Sequence, residues 1–368
     1  MSEDRVPNPD DATTYVIAEA GVNHNGSLDR AKRLVDGAAE AGADAVKFQT
    51  FRADALTAET AEKAAYQQDT TDEEQSQRAM LRDLELPPSF HEALLEHCAE
   101  RDLQFLSSPF DPASVDLLVD RFDVPRIKIP SGEITNAPLL LHIARTGRPA
   151  ILSTGMSTLG DVEEALGVLA FGYLDSDEAP GMEACRAAYA SDRGQEALRD
   201  HVALLHCTSE YPAPVDEVNL RAMDTLRSAF GLPVGLSDHT RGTAVPVAAV
   251  ARGAQIVEKH VTLDRTLPGP DHRASLEPDE LAAMVEDIRR AERALGAAQK
   301  RPTPSETKNR PVARKSLVAA APIAAGDPFT EANLTAKRPG TGLSPTRYWD
   351  YLGRTADRDY DTDELIEA

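Results

Sequence analysis

Arg126-Ile127-Lys128-Ile129-Pro130-Ser131-Gly132-Glu133 is a short apolar run that carries one lysine and ends in a hydroxyl and a carboxylate. Seven other segments have the same form. Tyr15–Ala18 leads to Glu19, Ala43–Val46 to Lys47 and Gln49, and Leu103–Leu106 to Ser107 and Ser108. Pro149–Leu152 leads to Ser153 and Thr154, Val202–Leu205 to His206 and Thr208, Pro233–Leu236 to Ser237, Asp238 and His239, and Ala254–Val257 to Glu258, Lys259 and His260. Helical patterns separate the runs, so the unit of strand, polar tip and helix recurs around the chain. The repeat predicts an α/β protein, a closed (β/α)8 TIM barrel whose C-terminal strand ends converge on one mouth, the place where active sites of this fold lie. An enzyme is expected.

Between the first two runs, Ser27 reads as an N-cap and Asp29 as a first-turn acid of a helix that Gly42 stops. Pro88 starts the helix before the third run, and the last barrel helix spans Pro278 to Leu295. Two inserts stand out. Arg52 to Leu86 is polar and reads as a long excursion over the mouth, whereas Phe171 to Asp200 precedes a strand and so emerges on the opposite face, with no catalytic part. Pro302, Pro304 and Pro311 and the lack of an apolar period mark residues 297–311 as a linker between a catalytic barrel, 1–296, and a small β-rich domain, 312–368. The short β-like pieces Ser316–Ala320 and Asn333–Lys337 lie in that domain.

With 368 residues and 41% hydrophobic content the chain can bury a large core. Its 39 basic and 61 acidic residues give a net charge of −22, which repels nucleic acid and anionic membrane and suits a salt-rich cytoplasm. An anionic substrate must therefore be held by local cations. Cys98, Cys185 and Cys207 lack the paired spacing of disulfides or a zinc knuckle; reduced thiols are expected, with Cys207 in the core. No apolar stretch approaches a membrane span and no secretory leader is read, so a cytoplasmic protein is expected.

His239 and His260 end neighbouring strands, so both imidazoles can reach one ion; Mn, Fe, Co and Zn all suit such a pair with open positions for substrate. His206 reads as structural by its parity. Lys47 and Lys128 interrupt apolar runs, and a buried lysine needs an anion or carboxylate beside it. An ion pair with Glu19 or Glu133 would satisfy one of them. Two lysines with hydroxyls at Ser108, Ser131, Ser153 and Ser237 read as a cradle for phosphate and carboxylate. No Walker loop or GxGxxG is present, so the phosphate belongs to a small metabolite. Glu19, at the end of the first strand, and Asp271, in the proline-stiffened segment Arg265–His272, are the acid and base candidates.

Ala18-Glu19-Ala20-Gly21-Val22-Asn23-His24-Asn25-Gly26, Val46-Lys47-Phe48-Gln49-Thr50, Lys128-Ile129-Pro130-Ser131-Gly132-Glu133, Leu152-Ser153-Thr154-Gly155-Met156, Gly235-Leu236-Ser237-Asp238-His239-Thr240 and Pro268-Gly269-Pro270-Asp271 together resemble the sialic acid synthase family, and the tail with Lys337-Arg338-Pro339-Gly340 resembles its C-terminal antifreeze-like (SAF) domain. The resemblance implies condensation of phosphoenolpyruvate with an N-acetylated hexosamine, of the N-acetylmannosamine type, to a nine-carbon 2-keto acid such as N-acetylneuraminate and phosphate. It assigns Lys47, Ser108, Lys128, Ser131, Ser153 and Ser237 to phosphoenolpyruvate, and His239 and His260 to a divalent metal, Mn2+ first, with Mg2+ or Co2+ as alternatives. Glu19, Gln49, Tyr211 and Asp271 would face the sugar, Glu19 or Glu133 would move the proton, and Arg338 would reach the sugar from the partner in a domain-swapped homodimer. Cys207-Thr208-Ser209-Glu210-Tyr211-Pro212, with Ser209 where sialic acid enzymes often carry Asn, looks closer to the legionaminic acid branch, which uses 2,4-diacetamido-2,4,6-trideoxymannose. A non-catalytic sugar-binding protein and a synthase acting on sugar phosphates are the competing expectations; the second needs an extra basic site that the sequence does not display.

Overall fold

In the computed structural model, which describes residues 13–64, 68, 71 and 75–367, eight parallel strands alternate with helices. The strands are β1 Tyr15–Gly21, β2 Ala45–Thr50, β3 Gln104–Pro109, β4 Ile127–Ile129, β5 Ala150–Ser153, β6 Val202–Cys207, β7 Val234–Asp238 and β8 Ile256–His260. They form one sheet in the order β3-β2-β1-β8-β7-β6-β5-β4, and its two end strands, β3 and β4, pack side by side to close the barrel. Most strands run further than their apolar cores suggest. Glu19, Lys47, Ser108 and Glu258 are strand residues, because alternate side chains point inward and meet one another there instead of water.

The barrel interior is layered. Tyr15, Ile17, Ala45, Leu106, Ile151, Ala203, Leu205 and Ile256 fill it with carbon. One inward step further along the strands come Glu19, Lys47, Ser108, Ser153, Cys207 and Glu258, at the C-terminal ends. A larger core of outward-facing strand residues and inward-facing helix residues surrounds the barrel. Ser27 caps helix Leu28–Glu40 by accepting from the Arg30 N–H, a contact typically worth about 1 kcal/mol.

Among the described residues of the segment after β2 are the short helices Ala53–Leu56 and Gln77–Asp83. They pack Met80 and Leu84 with Val22 and Phe51 in a small cluster of their own. The second insert continues helix Leu159–Tyr173 into helices Met182–Ala190 and Asp192–His201, which feed β6 from the far end. Among the described residues no helix is long and apolar enough to cross a membrane.

The chain divides into two compact units, 1–296 and 297–368. In the second unit, β9 Ser316–Ala319 and β10 Leu334–Lys337 pair antiparallel over a core that includes Leu317, Ile323, Phe329 and Tyr360. Within the stretch expected to be an irregular linker there is a helix, Pro304–Ala313. A reciprocal capping box between Thr303 and Glu306 and Pro304 in the first turn start it without any buried face, which is why no apolar period announces it.

Candidate active site

At the C-terminal ends of the barrel strands lies a cavity of about 480 Å³, within the range of small-molecule sites. Glu19, Lys47, Gln49, Ser108, Lys128, Ser131, Ser153, Ser209, Tyr211, Ser237, His239, His260 and Asp271 all line it. One of the expected residues of the first unit does not. Glu133 sits at the rim, half-buried in the 3-10 turn Ser131–Glu133, where its carboxylate accepts from Asn136 Nδ2 at 2.7 Å. Arg338 belongs to the second unit, where its Nε donates to the Ala313 carbonyl.

The lysines are each 3% exposed and share one carboxylate. Lys47 Nζ lies 2.7 Å from Glu19 and 3.8 Å from Glu258, while Lys128 Nζ lies 3.5 Å from Glu258. Glu258 is further held by the Ser237 hydroxyl at 2.9 Å, and Lys47 donates to Ser108 Oγ at 3.1 Å. Burial works to raise the Glu258 pKa, but the two ammonium groups win and hold it below its usual range. Lys128, with a weaker share of counter-charge, is pushed below its ordinary value by burial and by the neighbouring Lys47. Burial also pushes the Glu19 carboxyl up to about 7 against the pull of Lys47, and the Asp271 carboxyl up to about 6. Such a cluster can grip a multiply charged anion and exchange protons near neutrality.

Glu258 is the residue that sequence reasoning left unassigned beside His260. Its position two residues before His260 on one strand was the available signal, since β alternation puts both on the inner face. Asp238, the β7 residue in register with Lys259, faces outward and neutralises that fully buried lysine at 2.6 Å. Cys207 is buried as expected but also lines the cavity, with Sγ 3.8 Å from His239 Nδ1. His206 is structural, bonded through Nε2 to the Val218 carbonyl.

Close backbone approach tightens the site. Gly155 N donates to Ser131 Oγ at 2.9 Å, and a Cβ on Gly155 would fall 2.3 Å from Ser209 Oγ and 2.7 Å from Ser131 Oγ, so only glycine lets both hydroxyls meet here. Ser153 Oγ is buried without a hydrogen-bond partner among the described residues, a costly arrangement that an anionic ligand would relieve. Asp271 is held from behind by the loop after β1. Asn23 Nδ2 donates to Ser275 Oγ and to the Val261 carbonyl, Ser275 Oγ donates to the Asp271 carbonyl at 2.7 Å, and Asn25 bonds both the Pro268 carbonyl and His272.

The imidazole pair suits a metal in its donor chemistry. His239 and His260 have ring centroids 5.3 Å apart. His239 Nδ1 donates to the Thr208 carbonyl at 2.7 Å, which leaves Nε2 free to accept a ligand, and burial lowers the His260 pKa well below its usual value, so that ring is neutral. Among the described residues no three His, Cys, Asp or Glu side chains are grouped as a metal cage, so oxygens of water or substrate would have to complete the shell.

Comparison with known proteins bears on this arrangement. The model of the NeuB family matches residues 34–300, and that of the SAF domain matches residues 314–368. The N,N'-diacetyllegionaminic acid synthase of Campylobacter jejuni is 48% identical over 353 residues, covering 96% of this chain and 98% of its own. The protein of the same name from Legionella pneumophila is 44% identical, covering 94% of this chain and 91% of its own. Among solved structures, the N-acetylneuraminic acid (sialic acid) synthetase of Leptospira borgpetersenii superposes with a TM-score of 0.65 at 32% identity, covering 81% of this chain and 90% of its own.

Proposed function

The chain belongs to the NeuB family, and from that premise we propose that it condenses phosphoenolpyruvate with 2,4-diacetamido-2,4,6-trideoxymannose to give N,N'-diacetyllegionaminate and phosphate. It is an enzyme that forms a C–C bond from phosphoenolpyruvate and an amino sugar, of the sialic acid synthase type, and not a passive sugar binder. The observation that carries the phosphoenolpyruvate half is the placement of Lys47, Lys128, Ser131, Ser153 and Ser237 around one buried cavity. The choice of acceptor is supported by the two legionaminic acid synthases at 48% and 44% identity and by the Ser209-Glu210-Tyr211 form of the β6 tip. N-acetylmannosamine, the first acceptor expected from the sequence, has weaker support: the sialic acid synthetase is 32% identical.

In this reading Lys47 and Lys128 turn from Glu258 toward the phosphate and carboxylate, with Ser131, Ser153 and Ser237 donating to the same oxygens. C3 of phosphoenolpyruvate attacks the sugar aldehyde, and water adds to the electron-poor C2. Collapse of the resulting tetrahedral carbon breaks the C–O bond to phosphate and leaves the 2-keto acid. Glu19, buried and 2.7 Å from Lys47, supplies the proton to the aldehyde oxygen and recovers one from the water. Glu133, bonded to Asn136 at the rim, is the alternative carrier. Asp271 and Gln49 orient the sugar hydroxyls. A divalent metal held by His239 and His260 would polarise the aldehyde, with manganese the first choice and magnesium or cobalt the others.

A panel of the two sugars with phosphoenolpyruvate, read by product mass, tests the acceptor: the 2,4-diacetamido sugar is expected to give the larger kcat/KM, and preference for N-acetylmannosamine would overturn the choice. His260→Ala is expected to abolish turnover and lower bound metal together. We further propose a homodimer in which Arg338 serves the partner's sugar. Mixing Arg338→Ala subunits with Lys47→Met subunits then restores activity that neither has alone, and an inactive mixture counts against the swap.

A further inference from the structure

The cavity has two chemically unlike sides. Charged and hydroxyl groups come from the strand ends, whereas Val22, Leu56, Met80, Leu81, Leu84 and Phe110 line the side formed by the loop after β1, the long segment after β2 and the end of β3. Leu56, Leu81 and Phe110 are half-buried and turn carbon toward the cavity, while Val22, Met80 and Leu84 are buried behind them. Phe110 meets Phe51 edge-on at 5.9 Å, and this cluster is separate from both barrel cores. Among the described residues on that side, the polar side chains Thr57 and Gln77 are hydrogen-bonded to each other at 2.8 Å.

We propose that this apolar wall sets acceptor specificity by receiving the carbon-rich end of a deoxygenated, doubly acylated amino sugar. The inference rests on the acceptor assigned above and deepens it. Relative to N-acetylmannosamine, that sugar replaces the C4 hydroxyl by an acetamido group and the C6 hydroxymethyl by a methyl. The C6 change trades a hydroxyl, which would lose water against leucine and methionine without recovering a partner, for a methyl that gains contact, and the C4 change adds an acetyl methyl for the same wall while its amide needs a polar partner of its own. Discrimination of about 10- to 200-fold per methyl-sized group is what an apolar pocket delivers. The aldehyde end meanwhile faces His260, Asp271 and Gln49, so recognition and reaction are separated across the cavity.

The test is the selectivity ratio, kcat/KM for 2,4-diacetamido-2,4,6-trideoxymannose over that for N-acetylmannosamine, at saturating phosphoenolpyruvate. Leu81→Gln and Leu56→Gln, each at a half-buried position, are expected to lower the ratio about tenfold with the KM for phosphoenolpyruvate unchanged, while Leu81→Met keeps it within about twofold. Wild-type turnover of the deoxy sugar with an unmoved ratio in both glutamine variants overturns the wall and leaves the assigned acceptor standing. No turnover of the deoxy sugar by the wild type overturns the assigned acceptor and the wall with it. Should the glutamine variants fail to fold, Leu81→Ala and Leu56→Ala remove the same methyl contacts without adding an amide, and their ratio decides.

Discussion

On one side of the cavity Lys47, Lys128, Ser153, Ser237 and Glu258 stand on strands whose backbones are hydrogen-bonded to their neighbours; on the other, Leu56, Met80 and Leu81 stand on two short helices of a long connecting segment. On the first side Lys47, Lys128, Ser237 and Glu258 form one buried network, so a change at any of the four disturbs the others. The second packs mainly upon itself, so its side chains can change without moving the lysines. In the proposed reading the contrast teaches how one barrel can keep its chemistry while changing its substrate: reacting groups would be tied to the sheet and substrate choice delegated to a loop.

The largest expected effect comes from the rigid side. Lys128→Met removes one of two lysine cations from the cavity and leaves Glu258 with only Lys47 at 3.8 Å and the Ser237 hydroxyl, and kcat/KM should fall by roughly a thousandfold or more with either sugar. A variant that loses activity with only one sugar would break the division between the two sides. Next is Gly155→Ala, whose new methyl displaces Ser131 and Ser209; steady-state kinetics should show an increase of about 10- to 100-fold in the KM for phosphoenolpyruvate. Asn25→Ala loosens the loop that carries Asp271 and is expected to raise the KM for the sugar by about tenfold with that for phosphoenolpyruvate unchanged. An equal rise for both substrates would mean that the loop supports the whole mouth.

The smallest effect on turnover is a titration beneath the mouth. His24 is fully buried with Nδ1 accepting from the Gly26 N–H, and burial first, then nearby His91, Arg30 and His272, lower its pKa to about 4. The unfolded chain takes up the proton near 6.5, so stability is complete above that pH and declines as the pH falls toward 4. The loss at pH 5 is about 2 kcal/mol, and denaturant midpoints at pH 7 and pH 5 for wild type and His24→Asn measure it. A wild-type midpoint that falls no more than the variant's would place the acid sensitivity elsewhere.

The barrel was legible because its signal is periodic: a short apolar run closed by polar residues recurs with each strand, and polar groups at strand ends must share a mouth. Lys47 and Lys128 were legible as a pair because charge inside an apolar run is costly unless something binds it. Glu258 escaped because a glutamate in so acidic a chain carries no signal of its own; only the strand's alternation sets it apart from Lys259, which faces the other way. The apolar wall escaped for the opposite reason. Leu56, Met80 and Leu81 are scattered through a polar segment whose helices are too short to show a period, and they become neighbours only when the segment folds back over the mouth. Helix Pro304–Ala313 has no buried residue, so its caps were the only trace of it.

The most direct test of the account is the coupling of phosphate release to bond formation. With phosphoenolpyruvate, the 2,4-diacetamido sugar and a divalent metal, the protein should release one phosphate for each nine-carbon keto acid formed, and none when the sugar is left out. Phosphate released at the same rate without the sugar, or a phosphorylated sugar acid as the product, would contradict a cavity in which lysines hold the leaving group while the imidazoles and Glu19 act on the aldehyde.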